Sequence, residues 1–482
     1  MFRIFVPLVL LAVAVATLLV SNQLADEPVP GQPLGVAGAD LPLLSARRLP
    51  TAATSATPVT TPKREVTLER DLTALVISAP AESCVVVRQG GEDLFAKDPD
   101  EPLVPASLQK LATAHAALSA LGPDYTYRTT VIAESEPVDG VLPSDLYLVG
   151  GGDPLLATED YAELLAVQGA EPTRLDGLAA ELVADGLTRI NGAVIAVADR
   201  YDDATSVAGW PEEWVRAGAS GTLNAIALNQ GYQAPEGITG TAGLLPEPEP
   251  ALRTAALFDD MLEARSVTIP ERPGVATPDR DFSAYLELGS ITSAPLSNYL
   301  RFMLSESDNT TAELILKEVG RSWSGRGTTL DGALAVLELL AADAGRPVLV
   351  FPPVDGSGLS PENELTCRQV TDILEIDGPD GTLASYLPVA GESGTLRNRF
   401  VDSTAAGRVR AKTGSLPGVS SLAGFVTGDD GRPITFAAIL NGERLAAIDG
   451  DAFLQQMLEI LAAHPNFAET GDSGTETLDG GG

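Results

Sequence analysis

The chain has 482 residues, with 31 Lys or Arg against 66 Asp or Glu, for a formal net charge of −35 at pH 7. So acidic a protein excludes duplex nucleic acid as a partner, because phosphate contacts need clustered Lys and Arg. Only two histidines are present, which leaves little for a His-rich metal site or a His-based catalytic triad.

The run from Ile4 to Val20 is apolar and follows a single early Arg3. It approaches the ~20 apolar residues that span a bilayer, and no clear small-x-small cleavage site follows it. Residues 1–25 therefore read as an export signal or, equally, as an uncleaved membrane anchor, and the bulk of the chain as extracytoplasmic. Residues 26–63, rich in Pro, Ala and Thr without periodicity, read as an extended tether. The two cysteines, Cys84 and Cys367, have no CxxC pairing. Export permits a disulfide between them, but they read as two buried free thiols.

Cys84 to Gln89 and Asp93 to Ala96 read as strands joined at Gly90-Gly91, a hairpin signal. Ser107 to Leu121 reads as an apolar helix, with Pro105 just ahead of it. Within residues 131–285, Leu146 to Val149, Ala193 to Val197 and Leu223 to Leu228 read as strands, with helices near Tyr161 and Leu175. A helix follows Asn309, and another runs from Leu330 to Ala344. Arg408 to Leu416, Ser421 to Thr427 and Pro433 to Asn441 read as three successive strands, and Ala452 to Ala463 as a closing amphipathic helix. The Gly-, Thr- and acid-rich tail, 467–482, reads as disordered.

Two strands at the start and three near the end, with helices between, predict an α+β fold with an antiparallel sheet packed by helices. The two ends of the chain must then meet in one sheet. Residues 64–130 and 286–466 are assigned to one discontinuous domain, and residues 131–285 to an inserted mixed domain.

Chemistry concentrates in three short motifs. The chain contains only five lysines, and two of them complete Ser107-Leu108-Gln109-Lys110 and Lys412-Thr413-Gly414. Between them lies Ser307-Asp308-Asn309. The three-residue spacing puts Ser107 and Lys110 on one helix face. A serine hydroxyl is a weak nucleophile until a base takes its proton, and a lysine whose pKa is lowered by burial can be that base. Arginine cannot take that part, because it does not lose its proton. A lone SxxK would be only a capping serine and a solvated lysine. Ser307 and Asn309 place a hydroxyl and an amide where they can relay a proton and hold a substrate amide. Alone, such a triplet merely caps a helix. Lys412 and Thr413 would meet a terminal carboxylate, with Gly414 letting a peptide lie close to the strand. The backbone N–H groups of Ser107 and Ser415 would form an oxyanion hole. His115 stands eight residues after Ser107, ~12 Å along a helix, too far to serve as its base.

The order Ser-x-x-Lys, Ser-x-Asn, Lys-Thr-Gly resembles that of penicillin-binding proteins and serine β-lactamases. More closely, the chain resembles the low-molecular-mass, class C D-Ala-D-Ala carboxypeptidase/endopeptidases over about residues 70–463. The long gap from Ser107 to Ser307 carries that likeness. So do Leu146-Tyr147-Leu148-Val149-Gly150-Gly151-Gly152-Asp153-Pro154, Asp355-Gly356-Ser357-Gly358-Leu359-Ser360 and Gly394-Thr395-Leu396. These Gly-rich segments are read as structural turns, and Asp153 as structural. The resemblance implies the penicillin-binding fold, with further domain inserted after the first motif. It also implies hydrolysis of D-Ala-D-Ala peptides of peptidoglycan through an acyl-enzyme, no cofactor, and inhibition by β-lactams. The alternatives are a serine β-lactamase and an envelope-binding protein without catalysis.

Overall fold

A computed structural model describes residues 61–465, apart from 236, 239, 241, 242, 279 and 444. The predicted export segment, the tether up to residue 60 and the acidic tail lie outside the described residues. Among the described residues, no helix is long and apolar enough to cross a membrane.

In chain order the main elements are α1 (Thr61–Val76), β1 (Glu82–Gln89), β2 (Glu92–Lys97) and α2 (Gln109–Leu121). Then come β3 (Arg128–Ala133), β4 (Leu146–Val149), α3 (Glu159–Val167), α4 (Leu175–Ala184), β5 (Val194–Val197), α5 (Pro250–Glu263), β6 (Gly274–Val275) and β7 (Leu286–Thr292). The chain continues through α6 (Leu296–Glu306), α7 (Asn309–Ser324), α8 (Thr329–Ala344) and α9 (Cys367–Asp377). It closes with β8 (Val409–Leu416), β9 (Val419–Thr427), β10 (Pro433–Asn441) and α10 (Ala447–Ala462).

The first sheet is antiparallel, in the order β8-β9-β10-β1-β2. The two ends of the chain meet in it, β1 pairing with β10 from Glu82 opposite Asn441 to Arg88 opposite Thr435. The run Cys84-Val85-Val86-Val87 lacks polar alternation because both faces of β1 are covered. Val85 and Val87 pack with Leu68, Leu72, Leu454 and Leu458 of α1 and α10. Cys84 and Val86 face the other way, into a core with Leu108, Leu111 and Ile373. Alternate residues thus serve two layers, and burying each such side chain contributes about 1.5–3 kcal/mol. A second, mixed sheet, β6-β5-β4-β3-β7, is drawn from residues between the first two motifs and has its own apolar cluster around Leu148, Val194 and Phe258.

Three expectations need correction. The cysteines are not free: Cys84 and Cys367 form a disulfide. Cys84 points from β1 at the first residue of α9, and their Cα atoms are 5.8 Å apart, within bridging range. Leu223 to Leu228 is not a strand. It is buried, but its backbone bonds go to scattered partners, Leu223 N–H to the Thr205 carbonyl and the Ala225 carbonyl to Gly152 N–H. The end of the predicted tether, from Thr61, is the first turn of α1 rather than extended chain.

The disulfide joins positions 283 residues apart in sequence. Replacing both cysteines by alanine should lower stability by about 2–5 kcal/mol. A lower midpoint in urea unfolding would report this, and an unmoved midpoint would contradict it.

Candidate active site

The Ser107 turn is held from three sides. Ala106 adopts φ +50°, a conformation that strains a non-glycine residue, and leads into a short 3₁₀ turn that runs on as α2. Ser421 Oγ of β9 donates to the Pro105 carbonyl at 2.8 Å. At Gly358, φ is +79° and a Cβ would stand 1.9 Å from the Ala106 carbonyl oxygen. At Gly414, a Cβ would stand 2.2 Å from Ser421 Oγ, 2.7 Å from the Pro105 oxygen and 3.1 Å from Ser107 N. The space a side chain would need at Gly414 is therefore taken by Ser421 Oγ and the turn that carries Ser107, where the sequence led us to expect a peptide. Glycine is required here because strand and turn touch.

Lys110 is fully buried. Its ammonium donates to Ser107 Oγ at 3.0 Å, Asn309 Oδ1 at 2.7 Å and the Ser357 carbonyl at 2.8 Å. These three acceptors match its three protons. Burial pulls its pKa down to about 8, while the charges of Asp308, Asp355 and Glu313 limit the fall.

The second motif is a corner between two helices. Ser307 closes α6 in the left-handed conformation, φ 62°. Asp308 caps α7, its Oδ1 accepting from Thr311 N–H at 2.7 Å. Capping thus falls to Asp308, which leaves Ser307 and Asn309 to face the site. Asn309 Nδ2 donates to the Ala219 carbonyl at 2.7 Å, which fixes the amide so that Oδ1 meets Lys110.

Lys412, also fully buried, donates to Ser307 Oγ at 2.8 Å and to the Thr413 carbonyl at 2.7 Å. Burial, together with the like charge of Lys110, holds its pKa well below the ordinary lysine value. Thr413 Oγ1 donates to Thr395 Oγ1 at 3.0 Å. The structure therefore brings together all three motifs, which lie far apart in sequence.

Several contributors were not read from sequence as part of the site. The turn Asp355 to Ser360 is more than a spacer, since its Ser357 carbonyl holds Lys110. Asp355 organises that turn, accepting from the N–H groups of Gly358 at 2.7 Å and Ser360 at 2.6 Å, and from Trp210 Nε1 at 2.7 Å. Glu313 accepts from the N–H groups of Gly356 and Ser357, and burial with the Asp355 charge pushes its carboxyl up to about 8. The signal for Glu313 was present: a carboxylate on a helix face otherwise made of Ala312, Ile315 and Leu316. Asp153 is structural, as expected, accepting from Tyr299 Oη at 2.7 Å and Leu155 N–H at 2.9 Å. His115 pairs with Asp343 at 2.8 Å, away from Ser107.

The outer edge of β8 is covered only in part. Ala390 N–H donates to the Val409 carbonyl at 3.0 Å, and Ala411 N–H to the Pro388 carbonyl at 3.1 Å. Val409 therefore turns its polar groups away from β9, and by strand alternation Thr413 and Ser415 do the same. The Ser415 amide thus points outward beside Ser107. The Ser107 amide lies in a first helical turn, where no intrahelical acceptor exists. Beyond Ser415 opens a groove of about 490 Å³ lined by Trp214, Ala219, Leu359, Leu416 and Pro417, among others.

The family model described as D-Ala-D-Ala carboxypeptidase 3 (S13) matches residues 77–243 and 235–464. The chain belongs to this family. It is 32% identical over 437 residues to a D-alanyl-D-alanine carboxypeptidase of Actinomadura sp., covering 78% of this chain and 81% of that one. It is also 32% identical over 419 residues to a carboxypeptidase of Mycobacterium tuberculosis, covering 83% and 84%. The fold is similar to the crystal structure of penicillin binding protein 4 from Haemophilus influenzae, with a TM-score of 0.68 at 21% identity over 80% of this chain and 97% of that one. The α+β, penicillin-binding reading of the fold holds.

Gly414→Ala should displace the turn that carries Ser107, because its methyl group meets Ser421 Oγ, which holds that turn, and then the turn's own backbone at the Pro105 oxygen and Ser107 N. Labelling by a fluorescent penicillin should fall by about 100-fold or more, while the melting temperature drops by only a few degrees. Full labelling in this variant would show that the turn yields at no cost.

Proposed function

We propose that the chain is a serine DD-peptidase of the cell envelope that hydrolyses D-Ala-D-Ala peptides of peptidoglycan, with Ser107 as nucleophile and Lys110 as its base. The observation that carries this reading is the buried Lys110 ammonium, 3.0 Å from Ser107 Oγ and with its pKa drawn down to about 8. A neutral Lys110 accepts the Ser107 proton as Oγ attacks the carbonyl of the penultimate D-Ala. The amides of Ser107 and Ser415 receive the developing oxyanion. The leaving D-Ala nitrogen takes its proton from Ser307, which Lys412 replenishes across 2.8 Å. Asn309 holds Lys110 in place and offers its amide to the substrate backbone. Lys412 receives the terminal carboxylate beside Thr413, and that carboxylate supplies a counter-ion that no described residue is seen to give the buried Lys412. Water then hydrolyses the acyl-Ser107 ester. Gly414 serves by letting β8 reach Ser107.

The stem peptide lies along the open edge of β8, at Thr413 to Ser415, and its preceding residues reach the groove by Trp214 and Leu416. The relative named above as a D-alanyl-D-alanine carboxypeptidase supports the substrate class. The Haemophilus influenzae protein has been solved in complex with a β-lactam, which supports β-lactams as acylating inhibitors. Peptidoglycan lies outside the cytoplasm, and the apolar run Ile4 to Val20 fits export to it, by cleaved signal or by anchor. Residues 131–285 are an insertion into a catalytic domain formed by 64–130 and 286–466. Support comes from the second sheet: β4, β5 and β6 fall within these bounds, while β3 begins at Arg128 and β7 (Leu286–Thr292) lies just past the second boundary.

Penicillin should add one covalent equivalent at Ser107, seen by intact mass, and none to Ser107→Ala. An equal adduct in that variant would overturn the assignment. Lys110→Arg should acylate almost as poorly, because guanidinium keeps its proton.

The acylation rate should rise with pH and level off above about 8, since only deprotonated Lys110 can accept a proton and its pKa is about 8. A rate flat from pH 6 to 10 would remove Lys110 as base.

The penicilloyl enzyme should outlast the peptide acyl-enzyme. The opened ring keeps the leaving nitrogen tethered where water must enter, whereas D-Ala departs. Single-turnover deacylation compares the two, and equally fast hydrolysis would favour a β-lactamase.

A further inference from the structure

Thr395 belongs to none of the three motifs, yet it meets one of them. Thr413 Oγ1 donates to Thr395 Oγ1 at 3.0 Å. A hydroxyl has one proton to give. That of Thr413 is committed to Thr395, so the proton left to point outward is the one on Thr395. Among the described residues no acceptor for it is found.

The position of this hydroxyl is set by the backbone. Pro388 to Ala390 cover the edge of β8 up to Ala411. The chain then returns as the short turn Gly394–Leu396, pressed onto the end of α6. At Gly394, φ is +53° and a Cβ would lie 2.4 Å from the Ser305 carbonyl oxygen, two residues before Ser307. A peptide laid along Thr413 to Ser415 therefore runs into a covered edge at Ala411. It has to end there, and for a peptide running antiparallel to β8, as the DD-peptidase reading requires, that end is the carboxylate.

We propose that Thr395 is a specificity-determining residue that donates a hydrogen bond to the substrate's terminal carboxylate. The inference rests on the DD-peptidase reading above. The charge for binding comes from Lys412, and the direction from Thr395. Because the Thr395 oxygen accepts from Thr413, its own proton is more strongly polarised. The covered edge and this donor together select peptides that end in a free carboxylate over those that continue or are blocked.

The test compares acylation by penicillin, which carries a free carboxylate, with acylation by penicillin methyl ester, which does not. D-Ala-D-Ala peptide and its C-terminal amide form a second pair. Thr395→Val keeps the shape of the side chain and removes the donor, while Thr395→Ser keeps the donor. Thr395→Val should slow the free-acid reactions by about 10- to 150-fold, the worth of a hydrogen bond to a charged group. The ester and amide reactions should change by less than about threefold, and Thr395→Ser should stay within about threefold of wild type on all four probes. Equal losses on acid and ester would reduce Thr395 to a brace for Thr413 and overturn the proposal, as would no loss on either. A wild-type chain inert toward both penicillin and the free-acid peptide would instead overturn the DD-peptidase reading, and this inference with it.

Discussion

The structure depends on keeping one ammonium group out of water. Lys110 is fully buried, and its three acceptors come from three separate parts of the chain: Ser107 one turn back, Asn309 at the head of α7, and the Ser357 carbonyl. A buried charge without partners costs several kcal/mol, so those segments cannot drift apart without leaving it unpaired. The same burial is what prepares it for chemistry. Desolvation pulls the pKa down, and three carboxylates set how far it falls. None of those carboxylates is recorded in direct contact with the Lys110 ammonium. Asp308 caps a helix, while Asp355 and Glu313 hold the backbone of a turn. Each has a structural task, and the charges of Asp308 and Asp355, joined by Glu313 as it ionises near 8, keep Lys110 from becoming neutral altogether.

Lys412 works against that background. It lies in the same buried region, and the Lys110 ammonium disfavours charge on it. Its partners among the described residues are neutral, a hydroxyl and a carbonyl, and neither supplies a counter-ion. A site that holds an under-compensated cation beside an open strand edge is suited to an anion arriving at the end of a peptide. The acidic surface of the chain, with its net charge of −35, does the opposite at long range. Attraction is therefore confined to the cleft and does not extend over the protein.

Much of this was legible in the sequence, and the reasons differ by element. The strands β1, β2, β8, β9 and β10 announce themselves because turn residues bound β-rich runs, as at Gly90-Gly91. The catalytic motifs stand out because lysine is scarce in this chain, so a lysine at a fixed spacing from a serine carries information. What was missed depends on contacts that no local pattern encodes. The Ser357 carbonyl is a backbone atom, invisible to any search for side chains. Cys84 and Cys367 lie on a strand and on a helix whose packing was not predicted, so their proximity could not be read. Leu223 to Leu228 is apolar like a strand, but its backbone groups bond to segments chosen by tertiary folding. Gly414 was expected to make room for a peptide, whereas the contacts at its α-carbon are with Ser421 and the Ser107 turn. Its lack of a side chain lets β8 approach the turn that carries Ser107.

The segment between the first two motifs is more than an appendage to this arrangement. Its Ala219 carbonyl accepts from Asn309 Nδ2, and that contact decides which end of the amide faces Lys110. Were the amide reversed, two donors would meet and Lys110 would lose an acceptor. Arg200 and Tyr201 bond to Glu318, and Lys317 pairs with Asp202, so α7 is gripped along its length by the same segment. The helix that presents Asn309 is thus located from outside the first sheet as well as from within it. Changes in this segment can reach Lys110 without touching it, through the orientation of one side-chain amide.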